Sequence, residues 1–308
     1  MGATGSLGRA LGLELSLAGR PYRAVSRSAL ALQVRFPPER AAEPVVWDPE
    51  EQASIRHALQ GVDTAVYMAG VPLWEFAKHL ALTRRVLEAA TQTGVRRLLL
   101  VSSNWAYGLP EGGKPVTEAH ALAAHTVKGR VRAEQEQAVL AAHSAGVLET
   151  AVLRVADFYG PQVEASYLWS AFRAAKQGTR AQVMQPADRP HEFVFVPDAA
   201  RTVLHMLDQA AVWGRAWNLG GAGPVTLRAM VEAIFAEAGR APFYEVAPGW
   251  KLGLIRMMNP YVRELKEMQY LLETPVFLDD AALSGTLGGL TRTPYSAGIR
   301  QTLAPAGR

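Results

Sequence analysis

The feature of this sequence that most constrains its fold is a regular alternation between short apolar runs and longer stretches of helical periodicity. The apolar runs, which predict strands, lie at residues 22–28, 43–49, 62–70, 95–103 and 147–161. The helical stretches between them include 50–61, 75–94 and 127–145. Strands that alternate with helices pair in parallel, through right-handed crossovers. The sequence therefore predicts an α/β fold with a doubly wound parallel sheet of the Rossmann type.

A glycine-rich loop opens the chain and leads directly into a helical stretch. Gly2, Gly5 and Gly8 are three residues apart, and the helix is predicted over residues 7–17 with Ser6 as its N-cap. Glycines allow the close backbone approach that a pyrophosphate needs, and the helix points its N–H groups at the phosphates. We therefore predict a dinucleotide site formed by Gly2, Thr4, Gly5, Ser6, Leu7 and Gly8, with Ala69 and Gly70 from a later strand end.

The ends of two later strands indicate which dinucleotide binds. An acidic residue about 20 residues beyond the loop usually binds the ribose hydroxyls of NAD. This chain has Arg27 there, between Ser26 and Ser28, and such an arginine suits the 2′-phosphate of NADP. The sequence favours NADP(H), with NAD(H) as the alternative, unless Arg27 is only a surface residue. Asp48 could accept a hydrogen bond from adenine or cap the helix predicted to begin at Pro49.

The strand that normally precedes such a loop has no residues to form it, because only Met1 stands ahead of Gly2. Omitting a central strand would leave its two neighbours with unpaired edges. We therefore expect the first strand to be missing from the written sequence. The native protein would then carry about six to ten further apolar residues.

The second half of the chain does not keep the alternation. Residues 166–178 and 254–272 are helical stretches rich in Met and aromatic residues, which predict a smaller, mostly helical region. We expect a dinucleotide-binding domain over residues 1–161, with 191–221 returning to its sheet. A C-terminal substrate-binding or cap region is expected over residues 162–308.

Composition excludes several kinds of site. The 308 residues contain no cysteine, which excludes disulfides and cysteine nucleophiles, and the seven histidines lack ligand spacing, so no metal site is predicted. The net charge of +4 suits an anionic small molecule, but the aromatic and basic pattern of a nucleic-acid platform is lacking. No apolar run reaches the about 18–20 residues of a membrane span. With no signal segment ahead of the loop, we expect a cytoplasmic protein without membrane contact.

An ordered set of segments resembles the NAD(P)-dependent epimerase/dehydratase family, the extended short-chain dehydrogenase/reductases. These segments are GATGSLG, WDP, LQGVDTAVYMAG, VRRLLLVSSNWAYG, LRVADFYGP, FVFVPDAAR and WNLGG. The resemblance covers nearly the whole chain. It implies a Rossmann domain, a C-terminal substrate domain, and chemistry on a sugar nucleotide or a related carbonyl or alcohol. It also implies homodimers, in which the helices at 75–94 and 127–145 could pair across a two-fold axis.

The same resemblance implies a proton relay, made of a serine or threonine and a later Tyr-x-x-x-Lys pair. In the family, the lysine lowers the tyrosine pKa and holds the nicotinamide ribose. Ser103, four residues before Tyr107, matches the family serine. The tyrosine has no match, because residues 109–145 contain none. The chain is therefore similar to the family but is an atypical member.

Two registers place other residues in the positions of the pair. The family often carries a glutamate four residues after the lysine, and Glu134 as that anchor puts Thr126 in the tyrosine position and Arg130 in the lysine position. A second register puts Lys128 in the lysine position and Ala124 in the tyrosine position. We expect catalytic roles for Ser103, Thr126 and Arg130, and cofactor binding by Lys128. A threonine hydroxyl is a weak acid at neutral pH, so the ordinary mechanism is in question.

Three other groups could replace the missing phenol, namely His125, Tyr107 and Tyr159, and each could equally be structural. Three functions follow from these alternatives. The first, which we favour, is an enzyme: an epimerase, reductase or dehydratase that uses NADP(H) and a degenerate relay. The second is an NADP(H)-binding sensor or scaffold without catalysis. The third is an RNA-binding protein of the same fold, which the lack of an aromatic and basic platform argues against.

Overall fold

The computed structural model describes residues 1–36, 42–110, 114–246, 257 and 260–305. Six parallel strands form its centre, and their bounds are β1 Tyr22–Ser26, β2 Ala42–Val46, β3 Thr64–Tyr67, β4 Arg97–Ser103, β5 Glu149–Val155 and β10 Ala216–Leu219. Four of them form one sheet in the spatial order β10, β5, β4, β3, and β1 pairs with β2 alongside. The doubly wound α/β fold predicted from the sequence is confirmed.

Helices cover both faces of these strands. One face carries α1 (Ser6–Leu17) and α7 (Val196–Asp208), and the other carries α3 (Gln52–Leu59), α4 (Lys78–Thr93) and α5 (Val127–Ser144). A short helix, α2 (Ala29–Arg35), connects β1 to β2. In β4 the side chain of Leu99 packs under α1 and α7, while Leu98 and Leu100 pack under the other helices. All three leucines are buried, as expected for a strand covered on both faces.

A slot separates β1 from β3 at the place where the expected first strand would lie. The first three residues of the chain bridge it. The backbone nitrogen of Met1 donates to Val66 O at 2.7 Å, and that of Gly2 donates to Val25 O at 2.9 Å. A cavity of about 700 Å³ adjoins these bonds, and its lining includes Val25, Leu59, Ala65 and Val66. The facing edges of β1 and β3 are thus largely unpaired in the described part of the chain.

The C-terminal region contains short strands as well as the predicted helices. Its strands are β6 Asp157–Tyr159, β7 Ala181–Val183, β8 Pro190–His191, β9 Phe193–Phe195, β11 Val225–Thr226 and β12 Tyr244–Val246. Its helices are α6 Trp169–Gln177, α8 Leu227–Glu237, α9 Pro260–Glu264, α10 Tyr270–Glu273, α11 Ala281–Leu287 and α12 Tyr295–Leu303. The strands pair as β6 with β9, β7 with β12, and β8 with β11. Helices predominate among the described residues of this region, as predicted, and the short strands are an addition that the sequence did not indicate.

Several predicted boundaries shift. Gly5, not Ser6, is the N-cap of α1, and no side chain caps that helix. The helix predicted at 50–61 begins at Gln52 with Glu51 as its N-cap, so Asp48 does not cap it. Part of the stretch predicted at 254–272 lies outside the described residues, and the described part is α9, a 3-10 turn at Leu265–Met268, and α10. The division into two domains stays a prediction, although β10 does return to the main sheet beside β5.

Within the described ranges the structure shows neither a membrane-spanning helix nor a metal-binding cluster. No helix within them is both long enough and apolar enough to cross a membrane. The same ranges contain no group of three or more His, Asp or Glu side chains that could hold a metal ion.

Candidate cofactor and active site

The glycine loop is packed so closely that two of its glycines leave no room for a side chain. Gly2 has a φ of +88°, and a Cβ there would lie 2.8 Å from Met68 O. A Cβ on Gly8 would lie 2.5 Å from Gly2 O and 2.6 Å from Ala3 O. Gly5 is different, since its nearest neighbour would be at an ordinary 3.4 Å. Gly2 and Gly8 therefore fold the loop tightly against the start of α1, where uncapped N–H groups can bind an anion.

A cavity of about 280 Å³ opens beside this loop at the carboxyl ends of β1 and β2. Six residues predicted to bind the cofactor line it, namely Gly2, Thr4, Gly5, Arg27, Ala69 and Gly70. Ser6, Leu7, Gly8, Asp48 and Lys128 were also predicted and do not line it. Trp47, which is 4% exposed, lines the cavity and was missed, although the aromatic residue at the end of an apolar run was a usable signal.

Two arginines stand beside the loop. Arg27 is exposed, and its guanidinium donates to Gly70 O at 3.4 Å. Arg35, at the end of α2, donates to Thr4 O within the loop. The Thr4 hydroxyl is in turn 2.8 Å from the Ser26 hydroxyl. The sequence pattern identified only Arg27, because Arg35 reaches the loop through the folding of α2.

Asp48 is held in a local turn. Its Oδ1 accepts a hydrogen bond from the Glu50 backbone at 2.8 Å, and its own N–H donates to the Ser54 hydroxyl at 2.8 Å. Its neighbours Trp47 and Pro49 line the cavity in its place. The structure therefore assigns Asp48 to the turn, and contact with adenine stays a prediction.

Ser103 ends β4 at the same carboxyl edge of the sheet. Its hydroxyl is buried and has no hydrogen-bond partner within the described ranges. The preceding Ser102 hydroxyl behaves differently, since it donates to Glu136 Oε1 at 2.5 Å. Buried polar groups are nearly always hydrogen-bonded, so the partnerless Ser103 hydroxyl marks a place where a ligand can bind.

Tyr107 belongs to a buried network below Ser103. Its hydroxyl donates to Asn218 Oδ1 at 2.7 Å and accepts from the Arg154 guanidinium at 2.6 Å. Burial raises the pKa of this phenol, despite the opposing effect of Arg154. Arg154 also donates to Glu136 Oε2 at 2.7 Å. With its hydroxyl engaged twice and its ring fully buried, Tyr107 has a structural environment.

The other two substitutes for the phenol lie elsewhere. Tyr159 is 1% exposed and packs against Phe195 and Tyr295 in the core of the C-terminal region. Burial raises its pKa well above the ordinary value. His125 is exposed, and its ring lies 4.4 Å from that of Tyr270. Neither is joined to Ser103 by any contact in the described part of the chain.

The three residues that the two registers proposed have separate environments at the start of α5. Thr126 is its N-cap, with a hydroxyl that accepts from the Gly129 N–H at 3.0 Å and lies 3.7 Å from Met268 Sδ. Arg130 is exposed and donates to His125 O at 2.7 Å. Lys128 is buried, with Nζ 2.8 Å from Glu264 and 3.4 Å from Glu267. The structure thus gives Thr126 a capping role and does not bring Arg130 to Ser103.

Two glutamates of α5 could correspond to the family glutamate that follows the lysine by four residues, and their burial differs. Glu134 is exposed, whereas Glu136 is fully buried between Ser102 and Arg154. Counting back from Glu136 in steps of four residues gives Arg132 and then Lys128. Residues four apart share one face of a helix. The structure therefore favours Lys128 in the tyrosine position and Arg132 in the lysine position, a pair that neither sequence register gave.

A doubly wound sheet with a glycine loop at the carboxyl ends of its strands defines a dinucleotide-binding protein. The sequence profile of the NAD dependent epimerase/dehydratase family matches residues 1–220, and the chain belongs to that family. The expected family and the assignment as an enzyme are confirmed, and the cofactor is a nicotinamide dinucleotide.

Individual relatives agree with this assignment. The chain is 27% identical over 255 residues to a dTDP-6-deoxy-L-talose 4-dehydrogenase (NAD(P)(+)) from Kitasatospora kifunensis, over 78% of each chain. It resembles the UDP-glucuronic acid 4-epimerase of Bacillus cereus in complex with NAD, with a TM-score of 0.80, 16% identity, and coverage of 98% of this chain and 94% of that one. The dTDP-glucose 4,6-dehydratase of Bacillus anthracis gives a TM-score of 0.81, 16% identity, and coverage of 98% and 93%. These structural likenesses show a shared fold.

Proposed function

We propose that this protein is an NADP(H)-dependent oxidoreductase that acts on an alcohol or carbonyl carbon of a sugar nucleotide or a related small molecule. The observation that carries the proposal is the glycine loop, in which Gly2 and Gly8 exclude any Cβ and bring the backbone against the start of α1. The relatives support the substrate class, because all three named above carry nucleotide-sugar substrates in their names.

The residues around the loop fit the two ends of a dinucleotide. The cavity beside Trp47 suits the adenosine half, and the partnerless Ser103 hydroxyl lies at the strand end expected for the nicotinamide half. Arg27, between Ser26 and Ser28, lines the cavity at the place of the ribose 2′ position, and Arg35 stands behind it on Thr4. The lining residues that the structure describes include no carboxylate. Positive charge there favours the 2′-phosphate of NADP.

The bound cofactor supplies hydride transfer. Ser103 binds the substrate oxygen through its otherwise unbonded hydroxyl. We assign the role of proton donor to Lys128 and not to Thr126, because the Thr126 hydroxyl caps α5. An ammonium group has three N–H donors; one donates to Glu264 at 2.8 Å, and Glu267 lies 3.4 Å away as a second ion-pair partner, which leaves an N–H for a substrate oxygen. In reduction that N–H gives its proton to the carbonyl oxygen, and Lys128 regains a proton from solvent.

A binding titration followed by a turnover assay tests the proposal. Trp47 lines the cavity, so quenching of tryptophan emission reports binding of NADPH and NADH, and Trp47→Phe removes part of the signal. NADPH is expected to bind more tightly than NADH. Turnover is then measured with NADP⁺ and dTDP-6-deoxy-L-talose, UDP-glucose or UDP-glucuronic acid. The proposal would be overturned if neither NADPH nor NADH bound.

A catalytically inactive NADP(H)-binding sensor is the second candidate. The observation in its favour is that Thr126 and Arg130, placed in the relay by sequence, are engaged in capping and surface contacts. Tight NADPH binding without conversion of any substrate in the panel would support this candidate. Conversion of any one of them would eliminate it.

A further inference from the structure

We propose that Glu264 and Glu267 are positioning residues, which hold the Lys128 ammonium in the direction from which it gives its proton to the substrate. The inference rests on the proposed function, because it takes Lys128 as the proton donor. It adds two residues that the sequence did not indicate, and it makes the C-terminal region part of the reacting end of the site.

The Lys128 side chain is buried, and two carboxylates compensate its charge. It is 4% exposed, and Nζ donates to Glu264 Oε2 at 2.8 Å. Glu267 Oε1 lies 3.4 Å from the same nitrogen. A buried ammonium is costly unless a carboxylate compensates it. One carboxylate would be enough to balance the charge, and the second restricts the directions that Nζ can take.

Glu267 also holds the backbone of Lys128. Its Oε1 accepts a hydrogen bond from the Lys128 N–H at 2.8 Å. Thr126 is the N-cap of α5, so this N–H belongs to the first helical turn and has no partner within the helix. The helix dipole also favours a carboxylate at this end. Glu267 thus fixes the main chain of Lys128, while Glu264 binds its side-chain nitrogen.

The segment that carries the two glutamates lies directly against the start of α5. It consists of the end of α9, the 3-10 turn and the beginning of α10. Met268 Sδ is 3.7 Å from the Thr126 hydroxyl, and the centre of the Tyr270 ring is 4.4 Å from that of the His125 ring. These contacts flank the two glutamates and keep the segment in place beside Lys128.

The same turn of α5 meets the loop that follows Ser103. A Cβ on Gly129 would lie 2.6 Å from Trp105 O, and Trp105 is two residues beyond Ser103. Lys128 therefore adjoins a residue that touches this loop, while its ammonium is bound by the C-terminal region. The position of the ammonium relative to Ser103 depends on the two glutamates as well as on α5.

A competing partner of Glu264 is weaker than Lys128. Arg263 Nε lies 3.8 Å from Glu264 Oε1, and the Arg263 side chain is exposed. Water and salt screen an exposed pair, so it contributes little. Lys128 is both closer and buried, and the Glu264 carboxylate therefore acts mainly on Lys128.

The hold on the ammonium is tested first, without a substrate. Trace acetic anhydride acetylates lysine amines, and mass spectrometry after digestion gives the rate at each lysine. Glu264→Gln is expected to raise the rate at Lys128, relative to the exposed Lys78, by at least about tenfold, because the amine loses a charge-assisted hydrogen bond. Glu273→Gln, at an exposed glutamate of α10, is the control and should change the ratio by less than about twofold.

The consequence for the reaction is tested by turnover of whichever nucleotide sugar of the panel wild type converts. Glu264→Gln should lower kcat by about 10- to 100-fold, since a displaced proton donor slows the chemical step, while KM changes by less than about twofold. Glu264→Asp keeps a carboxylate and should recover part of the loss. Glu267→Gln should lower both kcat and the melting temperature, because it also loses its bond to the start of α5. Glu273→Gln should change none of these quantities.

The outcomes separate the inference from the function on which it rests. An unchanged kcat in Glu264→Gln would overturn the inference, whatever the labelling, and would leave the proposed function standing. A lower kcat with unchanged labelling of Lys128 would also overturn it, because Glu264 would then act without Lys128. If Glu267→Gln fails to fold, the two Glu264 variants decide. Failure of wild type to convert any sugar of the panel would overturn the proposed enzyme, and the inference with it.

Discussion

Glu136 and Arg154 form an ion pair that is buried completely between α5 and β5. Their side chains are 0% and 4% exposed, and Arg154 Nε lies 2.7 Å from Glu136 Oε2. The second carboxylate oxygen accepts from the Ser102 hydroxyl, and the guanidinium also reaches the Tyr107 hydroxyl. This network ties α5 to the strands directly below Ser103, so it fixes the position of the helix that carries Lys128 and Arg132.

Glu136→Gln is expected to destabilise the protein strongly. Removing one partner of a buried pair leaves the other charge uncompensated, which typically costs about 3–5 kcal/mol. Glu134→Gln is the control, because Glu134 is exposed on the same helix and should change the free energy of unfolding by less than about 0.5 kcal/mol. Urea unfolding measures both. Equal stability of the two variants would contradict the role of the pair.

The free energy of unfolding should fall at acidic pH, because unfolding allows His79 to take up a proton. Burial, together with the positive charge of Arg132, lowers the pKa of this histidine to about 2. A group whose pKa is lower in the folded state contributes stability above its unfolded pKa of about 6.5, and that stability is lost as the pH falls below this value. Between pH 7.5 and pH 5 the loss should be about 2 kcal/mol.

The dependence of the free energy of unfolding on pH, measured in two variants, tests whether His79 causes this loss. His79→Phe keeps a ring beside Phe76 and should remove the loss of about 2 kcal/mol. His57→Phe, at an exposed histidine, should leave the slope unchanged. An unchanged slope in the His79 variant would show that His79 is not buried in its neutral form.

Gly8→Ala should damage the cofactor loop. Its Cβ would lie 2.5 Å from Gly2 O, so the loop would have to move away from α1. We expect a loss of about 1–3 kcal/mol in stability and of at least about tenfold in NADPH affinity. Gly285→Ala is the control, because Gly285 is exposed within α11 with nothing near its Cβ, and alanine there should stabilise by about 0.5–1 kcal/mol. Normal NADPH binding by Gly8→Ala would contradict the assignment of the loop.

Arg27→Asp should reverse the preference between the two dinucleotides. A carboxylate repels a 2′-phosphate and can bind a free ribose hydroxyl, so NADPH affinity should fall by about 30- to 150-fold while NADH affinity is kept or rises. Arg173→Asp makes the same change of charge at an exposed residue of α6 and should alter neither. Fluorescence titration of wild type and the two variants gives a dissociation constant for each dinucleotide. A preference unaffected by Arg27→Asp would move the 2′ specificity to another residue, with Arg35 as the next to test.

The sequence predicted features that depend on local pattern, and missed those that depend on helical phase. The alternation of strands and helices, the glycine loop and the position of Ser103 at a strand end follow from periodicity and spacing. The residues of the proton relay could not be predicted in the same way. Glu134 and Glu136 lie two residues apart and are chemically identical candidates for the family glutamate, and only their burial distinguishes them. A shift of two residues turns a helix by about 200°, which exchanges Arg130 on the surface for Arg132 inside. Arg35 was missed for a related reason, since its contact with Thr4 spans 31 residues.

A strand supplied to the slot between β1 and β3 should stabilise the fold. The slot offers two facing strand edges and a lining that is apolar in part, through Val25, Leu59, Ala65 and Val66, and the Met1 nitrogen already bonds to Val66 O as a strand residue would. A fusion of five apolar, β-branched residues ahead of Met1 should raise the free energy of unfolding by about 2–4 kcal/mol, since burial of the side chains outweighs their ordering. Five alternating Gly and Ser residues are the control and should change it by less than about 0.5 kcal/mol, because they bury little apolar area. Equal melting temperatures for the two fusions would show that the slot does not accept a strand.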